Sequence, residues 1–236
     1  TNGYLPIGPV NLDLNRLLDA NAYEGLRLGM GITTNFKSSE KWCLSGYGAY
    51  GFKDKALKYG GDFEWKINKR KGVGFKTWYK VDVKETGSIT FFEKKQWLST
   101  ETTRNFLVNR MDSVEEVGGF FYFRTLKHFT VHLFGAQSEY IATNDYQFAK
   151  QLSPEITSLR NNFTFLEGGV QIRFAYKEKY LLTQDGSVSL GTKYPIVYFK
   201  YSQNIPYEIG NDFEFQKLDL KFDKTFYIKN LGKSSF

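Results

Sequence analysis

Few residues in this sequence have types and spacings suited to catalysis or cofactor binding. The clearest candidate is Gly46–Gly51, which matches the GxGxxG pattern of dinucleotide-binding loops. Such a loop must connect a strand to a helix, with an acidic residue about twenty positions further on. Here another strand-like segment follows, with no helical periodicity, and small residues alternate with tyrosines. We therefore interpret Gly46–Gly51 as part of a β-strand and not as a nucleotide site.

The two histidines of the chain, His128 and His132, lie four positions apart. This spacing would suit a metal ion on a helix, but in a strand the two side chains are about 13 Å apart, too far for one ion. With only these histidines and one cysteine, Cys43, the chain lacks the residues for Ser-His-Asp, Cys-His or zinc chemistry and for a disulfide framework. Gly186–Leu190 (GSVSL) is not a nucleophile elbow. We predict that the protein is not an enzyme and has no cofactor, catalytic or metal site.

Charged and amide side chains that recur at alternate positions form the constellation of greatest interest. Successive side chains of a strand point to opposite faces, so these residues would share one face and pair across neighbouring strands. Glycines on that face, such as Gly60 and Gly74, would leave room for long side chains in a narrow interior. The predicted network, facing the lumen of a barrel, comprises Arg27, Asp62, Glu64, Lys66, Lys76, Asp82, Glu167, Gln171 and Arg173. The sequence leaves open whether these groups only satisfy one another or line a selective conduit.

The opposite face of the same strands is apolar. In Gly60–Asn68 (GGDFEWKIN), aromatic and aliphatic side chains alternate with charged ones, and neighbouring segments repeat the pattern. Alternating segments of about ten residues, separated by polar turns, are typical of transmembrane β-barrels, whose outer face contacts lipid. A soluble barrel gives a similar pattern with the faces exchanged and would enclose a small apolar ligand. The residues predicted to face lipid are Leu26, Leu28, Ile32, Phe63, Ile67, Val170 and Ile172.

The elements that must position these residues are strands joined in succession by short turns, which implies antiparallel neighbours. Leu12–Leu18 is compatible with a short strand or one helical turn, and Glu85–Val117 has no clean period. Ser153 to Glu155 resembles the start of a short helix, with a capping serine, a first-turn proline and an acidic residue. Strands are predicted at Tyr23–Thr34, Trp42–Phe52, 57–67, 73–84, Gly118–Ala136 with a break near Thr125–Lys127, Asn162–Tyr176, Thr192–Ser202, Asp212–Asp223 and Phe226–Leu231, with a hairpin around Asp185 and Gly186.

The overall composition agrees with a β-rich protein. Aromatic residues make up 18% of the 236 residues and 22 are glycine, and both features suit strands with tight bends. The mean hydropathy of −0.44 and the lack of an apolar run of about 18 residues exclude a transmembrane helix. The net charge is +7, but the lysines collect at turns and not along one stripe, so we predict no nucleic-acid partner.

Three sequence elements are fairly specific, namely EGLRLG at Glu24–Gly29, YGFKDK at Tyr50–Lys55 and GTKYP at Gly191–Pro195. With the stretches around them, they resemble an uncharacterised family of Gram-negative outer-membrane proteins, whose members carry a carboxypeptidase-regulatory-like β-domain before a barrel region. The resemblance spans most of Gly3–Phe236, without the regulatory-like domain. It implies an outer-membrane location and no peptidase activity, and it supplies no catalytic residues.

These observations predict an all-β protein, an antiparallel meander that forms a transmembrane β-barrel. We expect residues 1–236 to be one β-barrel domain and a fragment of a longer protein, with further strands after Phe236 completing a larger barrel. The predicted role is that of an integral outer-membrane protein in envelope transport, assembly or surface organisation. Its expected partners are outer-membrane lipid and other envelope proteins.

Overall fold

The computed structural model describes residues 3–92, 108–143, 147–153, 156–183, 186–205, 214–228 and 232–235. Within these ranges the chain forms strands and one 3-10 turn, Leu14–Arg16. The strands are β1 (Tyr4–Ile7), β2 (Val10–Asp13), β3 (Leu18–Asn21), β4 (Gly25–Thr34), β5 (Trp42–Gly51), β6 (Leu57–Asn68), β7 (Val73–Glu85), β8 (Met111–Thr125), β9 (Phe129–Ile141), β10 (Phe148–Ser153), β11 (Ile156–Arg160), β12 (Asn162–Ala175), β13 (Lys179–Thr183), β14 (Gly186–Gly191), β15 (Ile196–Asn204), β16 (Gln216–Asp223), β17 (Thr225–Ile228) and β18 (Gly232–Ser235).

The main sheet is an antiparallel meander, as predicted. Its strand order is β1-β2-β4-β5-β6-β7-β8-β9-β12-β15-β16, and β3 pairs with the half of β4 that β2 leaves free. Among the described residues the two edges of this sheet are not paired with each other. The all-β meander is therefore confirmed, and closure into a barrel stays a prediction.

Alternation of residue types fixes the register of the sheet, because a slip of one residue would move every side chain to the other face. Glu64 on β6 lies opposite Lys76 on β7, so unlike charges face each other. Trp78 on β7 lies opposite Gly118 on β8, where a glycine gives the indole room. Residues that lie directly opposite each other on neighbouring strands point to the same face of the sheet. Following such pairs from strand to strand therefore assigns each side chain to one of the two faces.

Three hairpins in the described residues lie outside the main sheet, and one of them, β17–β18, follows β16. The other two leave the main sheet at opposite ends. β10 and β11 connect β9 to β12, and β13 and β14 connect β12 to β15 at the other end, close to the predicted hairpin position. The short helix predicted to start at Ser153 is wrong, because Ile156–Arg160 is a strand paired with β10. Its first two residues are β-branched, a type that favours extended backbone, and strand pairing outweighs the local capping signal. Residues 154 and 155 lie outside the described ranges.

The segment Leu12–Leu18 contains both structures that its sequence allows. β2 ends at Asp13, the 3-10 turn follows, and β3 begins at Leu18. The Asp13 carboxylate accepts hydrogen bonds from the Asn15 backbone N–H, at 3.1 Å, and from Arg16 Nε, at 3.2 Å. This turn lets one edge of the sheet bend between two short strands. In the described part of the chain, no helix has the length and apolar character required to cross a membrane.

Candidate functional site: the polar concave face

The two faces of the main sheet differ sharply in exposure. Phe63 and Ile67 on β6 are 38% and 51% exposed. Lys58, also on β6, is 2% exposed, and Gln171 on β12 is completely buried. Apolar side chains thus lie outside and polar side chains inside, which is the reverse of the distribution in water-soluble domains. We call the shielded side the polar face and the other the apolar face.

The seven residues predicted to face lipid lie on the apolar face. Five of them are exposed, namely Leu26, Leu28, Ile32, Phe63 and Ile67. Val170 and Ile172 on β12 are half-buried. They belong to the same face, because directly opposite residues connect Val170 to Leu133, Phe121, Phe75 and finally Trp65 on β6. The seven residues therefore share one face of the sheet. Their contact with lipid stays a prediction.

An ion pair between distant strands demonstrates that the polar face is concave. Arg27 on β4 donates to both carboxylate oxygens of Asp82 on β7, at 2.7 and 3.1 Å. The Tyr47 hydroxyl on β5 donates to the same carboxylate at 2.6 Å. In a flat sheet β4 and β7 would be three strand spacings apart, about 14 Å, so the sheet must curve for these side chains to meet.

Other members of the predicted network are also paired on this face. Tyr122 on β8 donates to Glu64 at 2.7 Å, reaching over β7 at Gly74. The ammonium of Lys76 lies 3.1 Å from the Asp62 carboxylate. Lys66 and Glu167 are half-buried, and one Glu167 carboxylate oxygen is buried without a hydrogen bond to any described residue. The structure thus brings the charges together in separate clusters along the face, not in one convergent centre.

One cluster near the turn before β4 was missed by the sequence analysis. Lys58 contacts the carboxylates of Glu24, at 2.8 Å, and Asp54, and all three side chains are almost fully buried. Asn21 donates to the second Glu24 oxygen at 2.7 Å. Lys58 is separated from Asp62 and Glu64 by an even number of positions in β6, so alternation assigns it to the polar face. Glu24 and Asp54 lie in turns, where alternation does not predict the direction of a side chain.

A second cluster that the sequence analysis missed joins β7, β8 and β9. Glu116 accepts a hydrogen bond from the Trp78 indole N–H at 2.6 Å, and its carboxylate lies 2.9 Å from the ammonium of Lys80. The Ser138 hydroxyl lies 3.5 Å from the same carboxylate. These four residues occupy alternate positions that match the network, so an extension of the alternation through β8 could have found them.

The hairpin β13–β14 folds across the mouth of the polar face at one end. Arg173 donates to both oxygens of Glu178, at 2.6 and 2.7 Å, and the hydroxyls of Tyr180 and Ser189 donate to the same carboxylate. Burial raises the pKa of Glu178, but these hydrogen bonds outweigh it and leave the pKa below its ordinary value.

The same hairpin contacts strands on the far side of that mouth. The guanidinium of Arg124, at the end of β8, stacks on the Tyr180 ring at 3.7 Å. The Ser187 hydroxyl donates to the backbone carbonyl of Lys69, in the turn between β6 and β7, at 3.3 Å. Because β12 and β6 are separated by three strands in the sheet, the hairpin spans the opening between them.

Aromatic rings fill the middle of the polar face. Phe120, His132 and Phe134 come from β8 and β9, and all three pack against Phe92, which follows β7. His132 therefore lies among rings, whereas His128 lies in a turn against Tyr176 at 5.1 Å. In the described ranges no group of three or more His, Cys, Asp or Glu side chains is arranged to hold a metal ion.

The GxGxxG segment lies within a strand, as the sequence analysis predicted. Gly46–Gly51 is the second half of β5 and is followed by a turn and β6. Its Tyr47 contributes to the polar face by donating to Asp82. The motif therefore has the alternation of this sheet and not the strand-to-helix geometry that a dinucleotide needs.

Comparison with known protein families finds a match in the second half of the chain. Residues 130–236 match the C-terminal domain of a family of unknown function (DUF5686). The DUF5686 match runs from β9 to the end of the chain and includes Glu167, Gln171, Arg173 and Lys200. Comparisons with curated proteins and with solved structures gave no match.

The DUF5686 match supports the predicted likeness to an uncharacterised family. It adds no activity, because the family itself has no assigned function. The Gram-negative origin, the outer-membrane location and the carboxypeptidase-regulatory-like domain before the barrel stay predictions.

Proposed function

We propose that this chain forms the membrane-spanning wall of an outer-membrane β-barrel. In this role it is not an enzyme, and it takes part in transport, assembly or surface organisation of the envelope. Outer-membrane lipid covers its apolar face, and other envelope proteins are its macromolecular partners. The polar face lines the enclosed interior.

The observation that carries this proposal is the reversed distribution of apolar and charged side chains. Monomeric soluble proteins rarely expose a contiguous apolar patch larger than a few hundred Å². Here the exposed apolar residues continue across at least six neighbouring strands, from Met30 on β4 to Leu133 on β9. Such a face is stable in contact with the hydrocarbon core of a membrane. Because hydrocarbon offers no hydrogen-bond partners, backbone N–H and C=O groups in that environment must pair with each other, as they do within a sheet.

Aromatic residues on the apolar face add a second line of support. Trp42 and Trp65 lie opposite each other near one end of β5 and β6. Tyr59 lies near the other end of β6, and its ring centroid is 6.4 Å from that of Tyr79 on β7. Tyr59 and Trp65 are about 20 Å apart along β6. Aromatic side chains at two levels are typical of the girdles that meet the two interfaces of a membrane.

Membrane integration of the chain tests the proposal. The chain would be refolded with liposomes, washed with alkaline carbonate and floated on a density gradient. We expect it to float with the lipid after the wash and to resist added protease along its strands. A chain that stays monomeric and folded in the aqueous fraction without detergent would contradict the proposal and favour a soluble barrel that binds an apolar ligand.

A further inference from the structure

The chain turns back onto the polar face directly after β7. Gly87 has a φ of 74°, a left-handed conformation that glycine adopts without strain. The Ser88 backbone N–H donates to the Glu85 carbonyl at 3.1 Å, which closes the turn. The following residues, Thr90–Phe92, then contact the inner side of strands far from β7 in the sheet.

The Phe92 side chain occupies an aromatic pocket. Its ring centroid lies 4.8 Å from that of Phe120 and 5.1 Å from that of Phe134. Trp78 and His132 each lie 5.9 Å away. Tilted and edge-to-face contacts at these distances are favourable beyond the area that they bury. The ring is thus held by side chains from β7, β8 and β9 together.

The backbone of the same segment is recognised by polar side chains. The Phe92 N–H donates to the Gln171 side-chain oxygen at 2.8 Å, and the Gln171 amide donates to the Phe92 carbonyl at 3.4 Å. The Lys200 ammonium donates to the Thr90 carbonyl at 3.1 Å. Because Gln171 is fully buried, removal of the segment would leave its amide without these partners unless water entered.

These contacts come from five consecutive strands, β7, β8, β9, β12 and β15. In a flat sheet β7 and β15 would be four spacings apart, about 19 Å. One short segment touches all five because they curve around it. Thr90–Phe92 therefore occupies the middle of the concave side and not its rim.

We propose that Gln171, Lys200 and the aromatic pocket form an internal receptor site whose ligand is the chain's own segment Thr90–Phe92, and that this segment plugs the interior. The inference rests on the proposed function, since only an enclosed interior can be plugged. Its consequence is that the folded protein resists passage of small solutes until Thr90–Phe92 leaves the site. The ligand class is a peptide backbone with an aromatic side chain.

Photocross-linking tests the docking itself. The photoreactive residue p-benzoylphenylalanine would replace Phe92 in one variant and the exposed Phe222 on β16 in a matched control. We expect the probe at position 92 to join peptides of β8 or β9 within the same chain, and the probe at position 222 not to do so. Absence of these internal products at position 92, in protein that has folded, would overturn the receptor site.

Solute efflux from liposomes tests the plug. Phe92→Ala and Gln171→Leu remove the ring and the amide, and Phe222→Ala and Gln137→Leu are matched changes at exposed positions. We expect the first pair to raise efflux of a small anionic dye at least about tenfold, equivalent to about 1.4 kcal/mol of lost docking free energy, and the controls to leave efflux unchanged.

The outcomes separate the two proposals. If no variant floats with liposomes, the membrane function fails, and the cross-link still decides the docking. If every variant floats and neither Phe92→Ala nor Gln171→Leu changes dye efflux, the membrane function is supported and the plug is contradicted. If Phe92→Ala alone fails to fold, Gln171→Leu and the cross-link on otherwise unchanged protein decide.

Discussion

The guanidinium of Arg27 and the carboxylate of Asp82 form a two-point ion pair that bridges β4 and β7 over two intervening strands. Both side chains are mostly shielded, with 13% and 18% exposure. The pair can form only in a curved sheet, so it stabilises the curvature that brings β4 and β7 together.

Removal of one partner of this pair should destabilise the fold. In Arg27→Met the Asp82 carboxylate keeps Tyr47 but loses its counter-charge, and breaking a shielded ion pair in this way costs about 3 kcal/mol. The free energy of unfolding would be measured by urea titration in detergent micelles, with tryptophan fluorescence as the signal.

An ion pair whose carboxylate is exposed provides the control. Glu40 is 71% exposed and lies 3.3 Å from the Lys69 ammonium, so Glu40→Gln should cost less than about 1 kcal/mol. Equal losses for Arg27→Met and Glu40→Gln would show that the Arg27–Asp82 pair is not shielded.

Arginine at the centre of the apolar face should block folding in a membrane. Val170 lies near the middle of β12, and an arginine at the bilayer midplane of a barrel costs about 2 to 4 kcal/mol. Val170→Arg should therefore fail to give heat-modifiable, folded protein on electrophoresis. Leu126→Arg, in the exposed turn between β8 and β9, should fold normally. If both variants fold equally well, the apolar face does not meet lipid.

Glycines of the polar face should not tolerate a side chain. A Cβ at Gly60 would lie 2.8 Å from the Tyr47 ring and from the Lys80 Cβ, and overpacking of this kind costs about 1 to 3 kcal/mol. A Cβ at Gly48, on the other face, meets nothing within 4 Å. Gly60→Ala should lower the urea midpoint and Gly48→Ala should not. If Gly48→Ala lowered the urea midpoint and Gly60→Ala did not, the crowded face of the sheet would not be the polar face.

The β13–β14 hairpin should loosen in acid. The pKa of Glu178 is lower in the folded protein than its ordinary value of 4.5. The stability that this carboxylate supplies is therefore complete above about pH 4.5 and is lost as the pH falls through the lowered value. Hydrogen exchange of residues 179–191, corrected for the intrinsic rate, should rise in that window.

Glu178→Gln identifies the responsible group. This variant should show faster exchange in the hairpin already at neutral pH, because a neutral amide cannot replace the carboxylate between Arg173, Tyr180 and Ser189. Its remaining exchange should not change as the pH falls through the same window. If hydrogen exchange in the variant rose with falling pH by as much as in the unchanged protein, a group other than Glu178 would be responsible for the acid response.

Much of the fold could be predicted from alternation alone. β4 to β7 and β12 lie within one or two residues of their predicted bounds, because each carries a long alternating pattern between polar turns. The β10–β11 hairpin was missed because a local signal, Ser153 to Glu155, resembles a helix start. Its true structure depends on pairing between β10 and β11, two short strands that carry no long alternating pattern.

The candidate site was only partly predictable for a related reason. Alternation identified which side chains share a face, and Arg27, Asp62, Glu64 and Asp82 do meet partners there. It gave no information on Glu24 and Asp54, which enter from turns, or on Phe92, which enters from a segment without a period. Contacts of this kind depend on the curvature of the sheet, which appears only when all strands are assembled.

The direction of the apolar face is measured most directly by quenching of tryptophan fluorescence with lipids brominated in their acyl chains. Variants would keep only Trp65, on the apolar face, or only Trp78, on the polar face, with phenylalanine at the other tryptophans. We predict strong quenching of Trp65 and little quenching of Trp78 in reconstituted liposomes. Stronger quenching of Trp78 than of Trp65, or quenching of neither, would contradict an outward apolar face and an enclosed polar one.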